Sequence, residues 1–306
     1  MTKRTPRVTL IHNPSAGGGE HAAERLVAAI ERAGYEVAYF SSKEIRIGKV
    51  LDRPCDLVAV AGGDGTVRKV AVRARPDGPP LAVLPLGTAN NIAKSLGVSG
   101  KPGHLAAGWK DAVERPYHPI EAEGEWGCRR LIEGIGFGAI ARAVEAMRDE
   151  HPPPEEARQR FCDYLAEAKP VELDIVCDGA SVTGAFVSVE ITKIPLVGPN
   201  LLLAPNADPS DCRVEISCVP AAEEDRQRFS EWLMDGTGEP APVWTAVAAR
   251  LSVVGRVMRV RLDDKARRLR GKSTIAVAAE EQPLHFLVPR GEATPQSVAG
   301  QGPLTK

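Results

Sequence analysis

No stretch of this 306-residue chain approaches the ~18 consecutive apolar residues that a membrane-spanning helix needs. The start, Met1 to Arg7, is polar and lacks the apolar core of a secretion signal. The six cysteines (Cys55, Cys128, Cys162, Cys177, Cys212 and Cys218) include no Cys-x-x-Cys pair, so reduced thiols in a cytoplasmic protein are expected. Charge of one sign is missing too. With 39 Lys and Arg against 40 Asp and Glu, the net charge of −1 gives no global attraction to nucleic acid or to an anionic membrane. Gly-x-Gly-x-x-Gly is absent, which argues against a dinucleotide fingerprint. Arg270-Gly271-Lys272-Ser273 echoes the end of a P-loop, but Ala266 stands where that motif needs another glycine. Length and ordinary composition leave room for two domains, each with its own core.

What the chain does have is glycine at turning points. Leu57 to Ala61 is an apolar run too short for a helix, and it reads as a buried parallel strand. Gly62, Gly63 and Gly65 follow, where the backbone can turn tightly and approach a ligand closely. Thr66 opens a helix expected over Val67 to Arg75, whose free N–H groups favour phosphate. Asp64 would repel a bare anion. Its position makes sense if a divalent cation or a hydroxyl proton lies between carboxylate and phosphate.

Two further segments have the same form. Val8 to Ile11 leads into His12-Asn13-Pro14-Ser15-Ala16-Gly17-Gly18-Gly19 and an amphipathic helix from about Glu20 to Ala33. Leu81 to Leu84 leads into Pro85-Leu86-Gly87-Thr88-Ala89-Asn90-Asn91 and a helix through Leu96. With Glu36 to Phe40, these strands predict an α/β domain to about Pro116, a parallel sheet with helices on both faces. All three motifs fall at the carboxyl ends of strands, where such sheets bind ligands. From residue 117 the pattern changes to short alternating runs, Val171 to Cys177, Ala185 to Thr192, Val214 to Val219, Val257 to Leu262, Ile275 to Ala278 and Leu284 to Val288, which predict an antiparallel β-sandwich over 117–287. The helical stretch Ala139 to Ala168 must break at His151-Pro152-Pro153-Pro154, and Ala221 to Met234 and Val243 to Ala249 are further helix candidates. The tail 294–306 has the composition of a disordered segment.

The triplet of Asn-Pro with small residues, Gly-Gly-Asp-Gly-Thr and Pro-x-Gly-Thr-x-Asn resembles the diacylglycerol kinase catalytic-domain family, which includes bacterial lipid kinases and sphingosine kinases. The resemblance runs from about Val8 to Pro289. It implies a nucleotide domain followed by a β-sandwich, with the active site in the cleft between them and residues 288–293 returning to the first domain. It also implies ATP and Mg2+ as cofactors. Asn13, Gly62, Gly63, Gly65, Thr66, Gly87, Thr88 and Asn90 would hold the nucleotide, with Asp64 in the catalytic centre. The residues alone allow plainer readings, Asn13 as an Asx-turn before Pro14 and Asn90 as a helix N-cap.

The chain departs from the family at three places. Asn91 stands where the family usually has aspartate. Ala279-Glu280-Glu281-Gln282-Pro283 replaces the Asp-Gly-Glu that supplies the general base, which puts Glu280, or Glu281, in that role. Two solvated glutamates in a hairpin are the alternative. Asp211 fits the family's slot for a structural magnesium, with Cys212 replacing glycine, and Asp208 is close enough to share the ion. A simple turn around Pro209 competes with that reading. Gly134-Ile135-Gly136-Phe137-Gly138 matches a glycine-rich segment expected to line the head-group end of the cleft, or else a plain turn. The basic cluster from Arg256 to Lys272 reads as a solvated hairpin, or as a patch for anionic head groups.

The expected activity is transfer of the γ-phosphate of ATP to a hydroxyl of a diacylglycerol-like or sphingoid lipid. The lipid would be met in micelles or at a membrane surface by a peripheral, cytoplasmic enzyme, and a homodimer stays open. Two other readings remain: a nucleotide-binding regulator of the same fold with lost catalysis, and an NAD-kinase-like enzyme. The Gly-Ser-Thr-Ala-type segment expected of NAD kinases is missing.

Overall fold

The structure is a computed structural model, and it describes residues 4–19, 22–147, 150, 152–235 and 238–290. The expected disordered tail and residues 291–293 lie outside these. The first domain runs β1 (Arg7–His12), a 3-10 turn (Ala16–Gly19), α1 (Ala23–Arg32), β2 (Glu36–Ser41), α2 (Ile47–Leu51), β3 (Leu57–Gly62), α3 (Asp64–Ala71), β4 (Leu81–Pro85), α4 (Asn91–Ser95), α5 (Pro102–Gly108) and β5 (Val113–Tyr117). The second contains β6 (Ile120–Gly124), β7 (Gly127–Leu131), β8 (Gly134–Gly138), α6 (Ala139–Ala146), α7 (Pro154–Ala166), β9 (Val171–Cys177), β10 (Ala180–Thr192), β11 (Leu196–Val197), β12 (Leu201–Leu202) and β13 (Val214–Pro220). It continues through α8 (Glu223–Asp235), β14 (Trp244–Ala248), β15 (Arg250–Gly255), β16 (Arg259–Leu262), β17 (Lys265–Arg268) and β18 (Ser273–Ala279), and the chain ends its described course on β19 (Leu284–Val288).

The first sheet has the order β2-β1-β3-β4-β19-β5, parallel except where β5 meets β19. Every residue of β3 is buried, as a central parallel strand flanked by helices requires. The chain returns to this sheet earlier than expected. Leu284, Phe286 and Val288 alternate with half-buried residues, a pattern that reads as a sandwich strand. Phe286 instead pairs with Leu81 of β4 and joins the first domain's core against Tyr117.

The second domain is antiparallel, as the sequence predicts. Its two layers share one strand. The first half of β10 pairs with β9, and its second half pairs with β8 and β13, with a register shift between Phe186 and Ser188. Such an irregularity bends a strand. One layer then continues β9-β15-β18-β6-β7 and the other β8-β16-β17, with β13 and β14 on its opposite side. Ile135, Ile175, Ile216, Val253 and Ile275 fill the core between the layers. The helical stretch breaks at the prolines into α6 and α7, which pack with α8 around Phe161 and Phe229.

Two sequence expectations are corrected. Val243 to Ala249 is no helix; Trp244–Ala248 pairs with β13, opposite Cys218 to Val214. An open ladder edge outweighs the helix preference of its alanines. Gly134 to Gly138 is no turn but a buried strand between β10 and β16. A Cβ on Gly136 would lie 2.2 Å from Glu190 Oε1, so glycine there makes room for side chains of the neighbouring strands. No helix among the described residues is long and apolar enough to cross a membrane.

Candidate active site

The end of β3 carries the chain into Gly63, the N-cap of α3, and the helix starts at Asp64, earlier than the sequence suggests. Gly63 lies against Gly87 of the next loop. A Cβ on Gly87 would lie 2.5 Å from the Gly63 Cα, so two bare backbones meet there. Leu86 N donates to Gly62 O (3.0 Å), which holds the two loops edge to edge. Gly62 itself is not part of the cleft lining; a Cβ there would strike Thr66 Oγ1 at 2.6 Å. Asn90 also works behind the surface. In a left-handed conformation (φ 52°), its amide donates to Gly87 O (2.6 Å) and its oxygen accepts from Gly87 N (2.9 Å), which fixes the second loop. Asn13 forms the expected Asx-turn, accepting from Ser15 N (3.3 Å) and Ser15 Oγ (3.1 Å), and still lines the cleft.

Asn13, Gly63, Asp64, Gly65, Thr66, Gly87 and Thr88 therefore converge on one cavity of about 800 Å3 between the domains. Asp64 Oδ1 accepts the amide of Ile92 (2.9 Å), so its carboxylate also holds the start of α4. Burial and the neighbouring charge of Glu133 push its pKa up to about 6, although the backbone amides of Ile92 and Asn91 pull it down.

The facing wall comes from the second domain, and the sequence reading missed most of it. Asp263 sits in the β16–β17 turn at φ 52°. Its Oδ1 accepts from Glu133 N (2.9 Å) and Gly134 N (3.1 Å), and Ile132 N bridges both oxygens. Burial, then Glu133, raises its pKa to about 6. Arg68, one turn beyond Asp64 on α3, crosses the cleft to Glu133 and to Asp264 Oδ2 (2.8 Å), tying the domains together. Arg261 donates to Asp263 O (2.6 Å) and pairs with the buried Glu190 over Gly136. Val144, Met147, Ala157, Phe161, Ile194 and Val197 give the cleft an apolar stretch of wall. Three cleft residues carry buried polar atoms without a partner among the described residues: Asn91 Oδ1, Thr192 Oγ1 and Arg261 Nε. Buried polar atoms are nearly always paired, so these three have bonding capacity to spare where they face the cleft.

Two predicted groups lie outside this cavity. Glu280 does not line the cavity. Arg130 donates Nε to its Oε1 (2.6 Å) and Nη2 to its Oε2, while Nη1 reaches Ala74 O (2.8 Å). Both carboxylate oxygens are occupied in a fixed ion pair, so Glu280 is not a free base, and Glu281 is exposed. Asp208 and Asp211 do not make a metal site either. Asp208 Oδ1 accepts from Ser210 N (2.8 Å), Ser210 Oγ (2.7 Å) and Arg115 Nη2 (3.2 Å). The ammonium of Lys193, fully buried, donates to Asp211 O (2.6 Å), Asp211 Oδ1 (2.9 Å) and Arg213 O. Its three donors meet three oxygens, so a lysine fills the place that the resemblance gives to magnesium. Among the described residues no group of three or more His, Cys, Asp or Glu could hold a metal.

A parallel-sheet domain with glycine turns at its strand ends, closed by an antiparallel domain bearing acids, defines a two-domain protein of α/β-plus-β class with its cavity between the domains. Comparison places it further. The family model described as the diacylglycerol kinase catalytic domain matches residues 7–121. The matched segment contains the whole motif triplet, so over residues 7–121 the chain is similar to the catalytic domain of these kinases. A diacylglycerol kinase of Bacillus subtilis is 28% identical over 238 residues, 71% of this chain and 74% of that protein. One of Mycobacterium tuberculosis is 25% identical over 231 residues, 69% and 72% of the two chains. The crystal structure of a diacylglycerol kinase from Bacillus anthracis shares the fold at TM-score 0.68 and 18% identity, over 94% of this chain and 99% of that one. An NAD kinase from Archaeoglobus fulgidus in complex with ATP shares it less closely, at TM-score 0.52 and 14% identity, over 93% and 94%.

Proposed function

We propose that the protein is an ATP-dependent lipid kinase that moves the γ-phosphate to a hydroxyl of a diacylglycerol-like or sphingoid lipid. The observation that carries this reading is one cavity with three unlike walls: bare glycine backbone at the start of α3, an acid held by backbone amides, and apolar side chains. The glycine turns and the α3 N-terminus suit a triphosphate, and Thr66 and Thr88 add hydroxyls beside it. Asp64 is the carboxylate that fits a divalent cation brought by the nucleotide, since Mg2+ is commonly held by one or two carboxylates plus substrate phosphates. Such an ion supplies charge neutralisation to the transferring phosphoryl group.

Asp263 is the best-placed base. Glu133 and Asp264 are engaged by Arg68, whereas among the described residues Asp263 Oδ2 accepts one amide, from Ile132 at 3.1 Å. It would take the proton of the acceptor hydroxyl as the new O–P bond forms and ADP leaves. The apolar wall would hold the acyl or sphingoid chain.

The test is transfer of labelled γ-phosphate from ATP, with magnesium, into mixed micelles of diacylglycerols, monoacylglycerols and sphingoid bases. A labelled lipid that disappears in Asp64→Asn, at unchanged melting temperature, supports the reading. The amide oxygen can keep the bond to Ile92 N, so the fold should survive. No product from any lipid would overturn it. A regulator without catalysis is the second reading, favoured by neutral Asn91 and by the captured Glu280. It requires nucleotide binding without turnover. Conversion of NAD to NADP in a coupled assay would instead revive the NAD-kinase alternative.

A further inference from the structure

The β16–β17 hairpin has two unlike ends. Its tip sends Asp263 and Asp264 into the cleft, whereas its outer strand, Lys265-Ala266-Arg267-Arg268, is the edge of the sheet. Lys265, Arg267 and Arg268 are exposed, and no ion pair engages them among the described residues. Arg256, Arg270 and Lys272 flank the hairpin and are exposed as well. Met258, 64% accessible, is the most exposed large hydrophobic side chain described, and its carbonyl accepts from Leu269 N (3.0 Å) beside Arg268. Arg259 stands directly opposite Arg268, a like-charge pairing that costs stability by itself. Arg259 also reaches Glu145 of α6, which lines the cleft next to Val144. The base of the hairpin therefore adjoins the apolar wall.

We propose that this hairpin edge docks the protein on an anionic bilayer, with the arginines on lipid phosphates and Met258 among the head groups. The proposal rests on the lipid-kinase reading to the extent that a bilayer substrate must reach the apolar wall. Charged edge strands, lysine-bearing ones above all, also prevent unwanted pairing between sheets, and that role alone needs neither the flanking Arg256, Arg270 and Lys272 nor the exposed Met258. Here the free charges of β17 are all positive, in a protein whose net charge is −1. Basic clusters of this kind are drawn to anionic leaflets within a Debye length. Single-stranded RNA is the poorer fit, because Arg256 to Lys272 contains no aromatic residue on which a base could stack.

The experiment is co-sedimentation of the full chain with vesicles of phosphatidylglycerol and phosphatidylcholine, and with phosphatidylcholine alone, at low and high salt. The wild type should bind only the anionic vesicles, and less at high salt. Arg267→Glu with Arg268→Glu should weaken binding on the order of tenfold or more, and Met258→Ser should weaken it less. Melting curves establish that the variants fold, and Arg267→Gln with Arg268→Gln replaces the reversals if they do not. Equal binding by wild type and folded variant overturns the proposal, as does tighter binding to an RNA oligomer than to anionic vesicles. Transfer to a dispersed short-chain diacylglycerol should match wild type in these variants and fall only with vesicle substrate. If neither form is phosphorylated, the kinase reading fails while sedimentation still decides the docking.

Discussion

The two walls of the cleft are made from different materials. The first-domain wall is backbone: Gly63 and Gly87 touch without side chains between them, and Asn90 and Gly62 shape the loops from behind. The second-domain wall is side chain: Thr192, Arg261 and Asp263 stand on β10, β16 and the turn after it, across the glycines of β8. A backbone wall needs glycine at fixed local positions, and a local motif records that need. A side-chain wall needs the right register between strands far apart in sequence, and no short motif records a register.

The sharpest way to break this comparison is to remove the charge of Asp263. Asp263→Asn should lower kcat by about 10²–10⁴-fold, the usual contribution of general acid–base catalysis, with ATP affinity little changed. The pH dependence gives the sign independently. Asp263 titrates at about 6 in the folded protein against an ordinary carboxylate value of 3.8. The folded state thus binds more protons than the unfolded one between these values, and stability falls as pH rises from about 4 to 6. Activity should move the opposite way, rising through pH 6 as the base ionises. In Asp263→Asn the stability loss over this window should shrink by about 1–3 kcal/mol. A variant with full turnover would return the base to another residue.

How much was legible follows from the same contrast. The strands before each glycine turn, the seven predicted residues of the first domain that line the cleft and the break at the prolines all depend on neighbours within a few positions. Asp263 and Asp264 sit in a hairpin of arginines, where the surrounding pattern reads as solvated turn; only the burial of Asp263 and the place of both in the cleft lining show otherwise. Glu280 misled for the converse reason. Its position after β18 matches a family motif, but Arg130, paired with Glu121 across the β6–β7 hairpin, reaches it from a distance in sequence that no local spacing reveals.

A smaller effect should come from the cation that sits inside the second domain. Lys193 holds Asp211 O, Asp211 Oδ1 and Arg213 O, and its neighbours Thr192 and Ile194 line the cleft. Lys193→Met should cost about 1–3 kcal/mol of stability, since it leaves those oxygens without their donor. It should raise the KM for the lipid more than it lowers kcat. In the wild type without nucleotide, a chelator should leave the melting temperature unchanged. A melting temperature that falls with chelator would show a divalent ion where the lysine sits.

The smallest effect on turnover is expected at Glu280, and it separates motif position from chemical role. Glu280→Gln keeps one acceptor for Arg130 but removes the charge from a half-buried ion pair, so stability should drop by about 1–3 kcal/mol. Because Arg130 also bonds Ala74 O in the first domain, part of that loss should appear as looser docking between the domains, seen as faster amide exchange near Ala74. Turnover should stay within about threefold of wild type, far from the 10²-fold or greater loss expected of a missing base. A fall of that larger size, with the fold intact, would mean that the ion pair opens during catalysis, and that the side-chain wall holds two candidate bases rather than one.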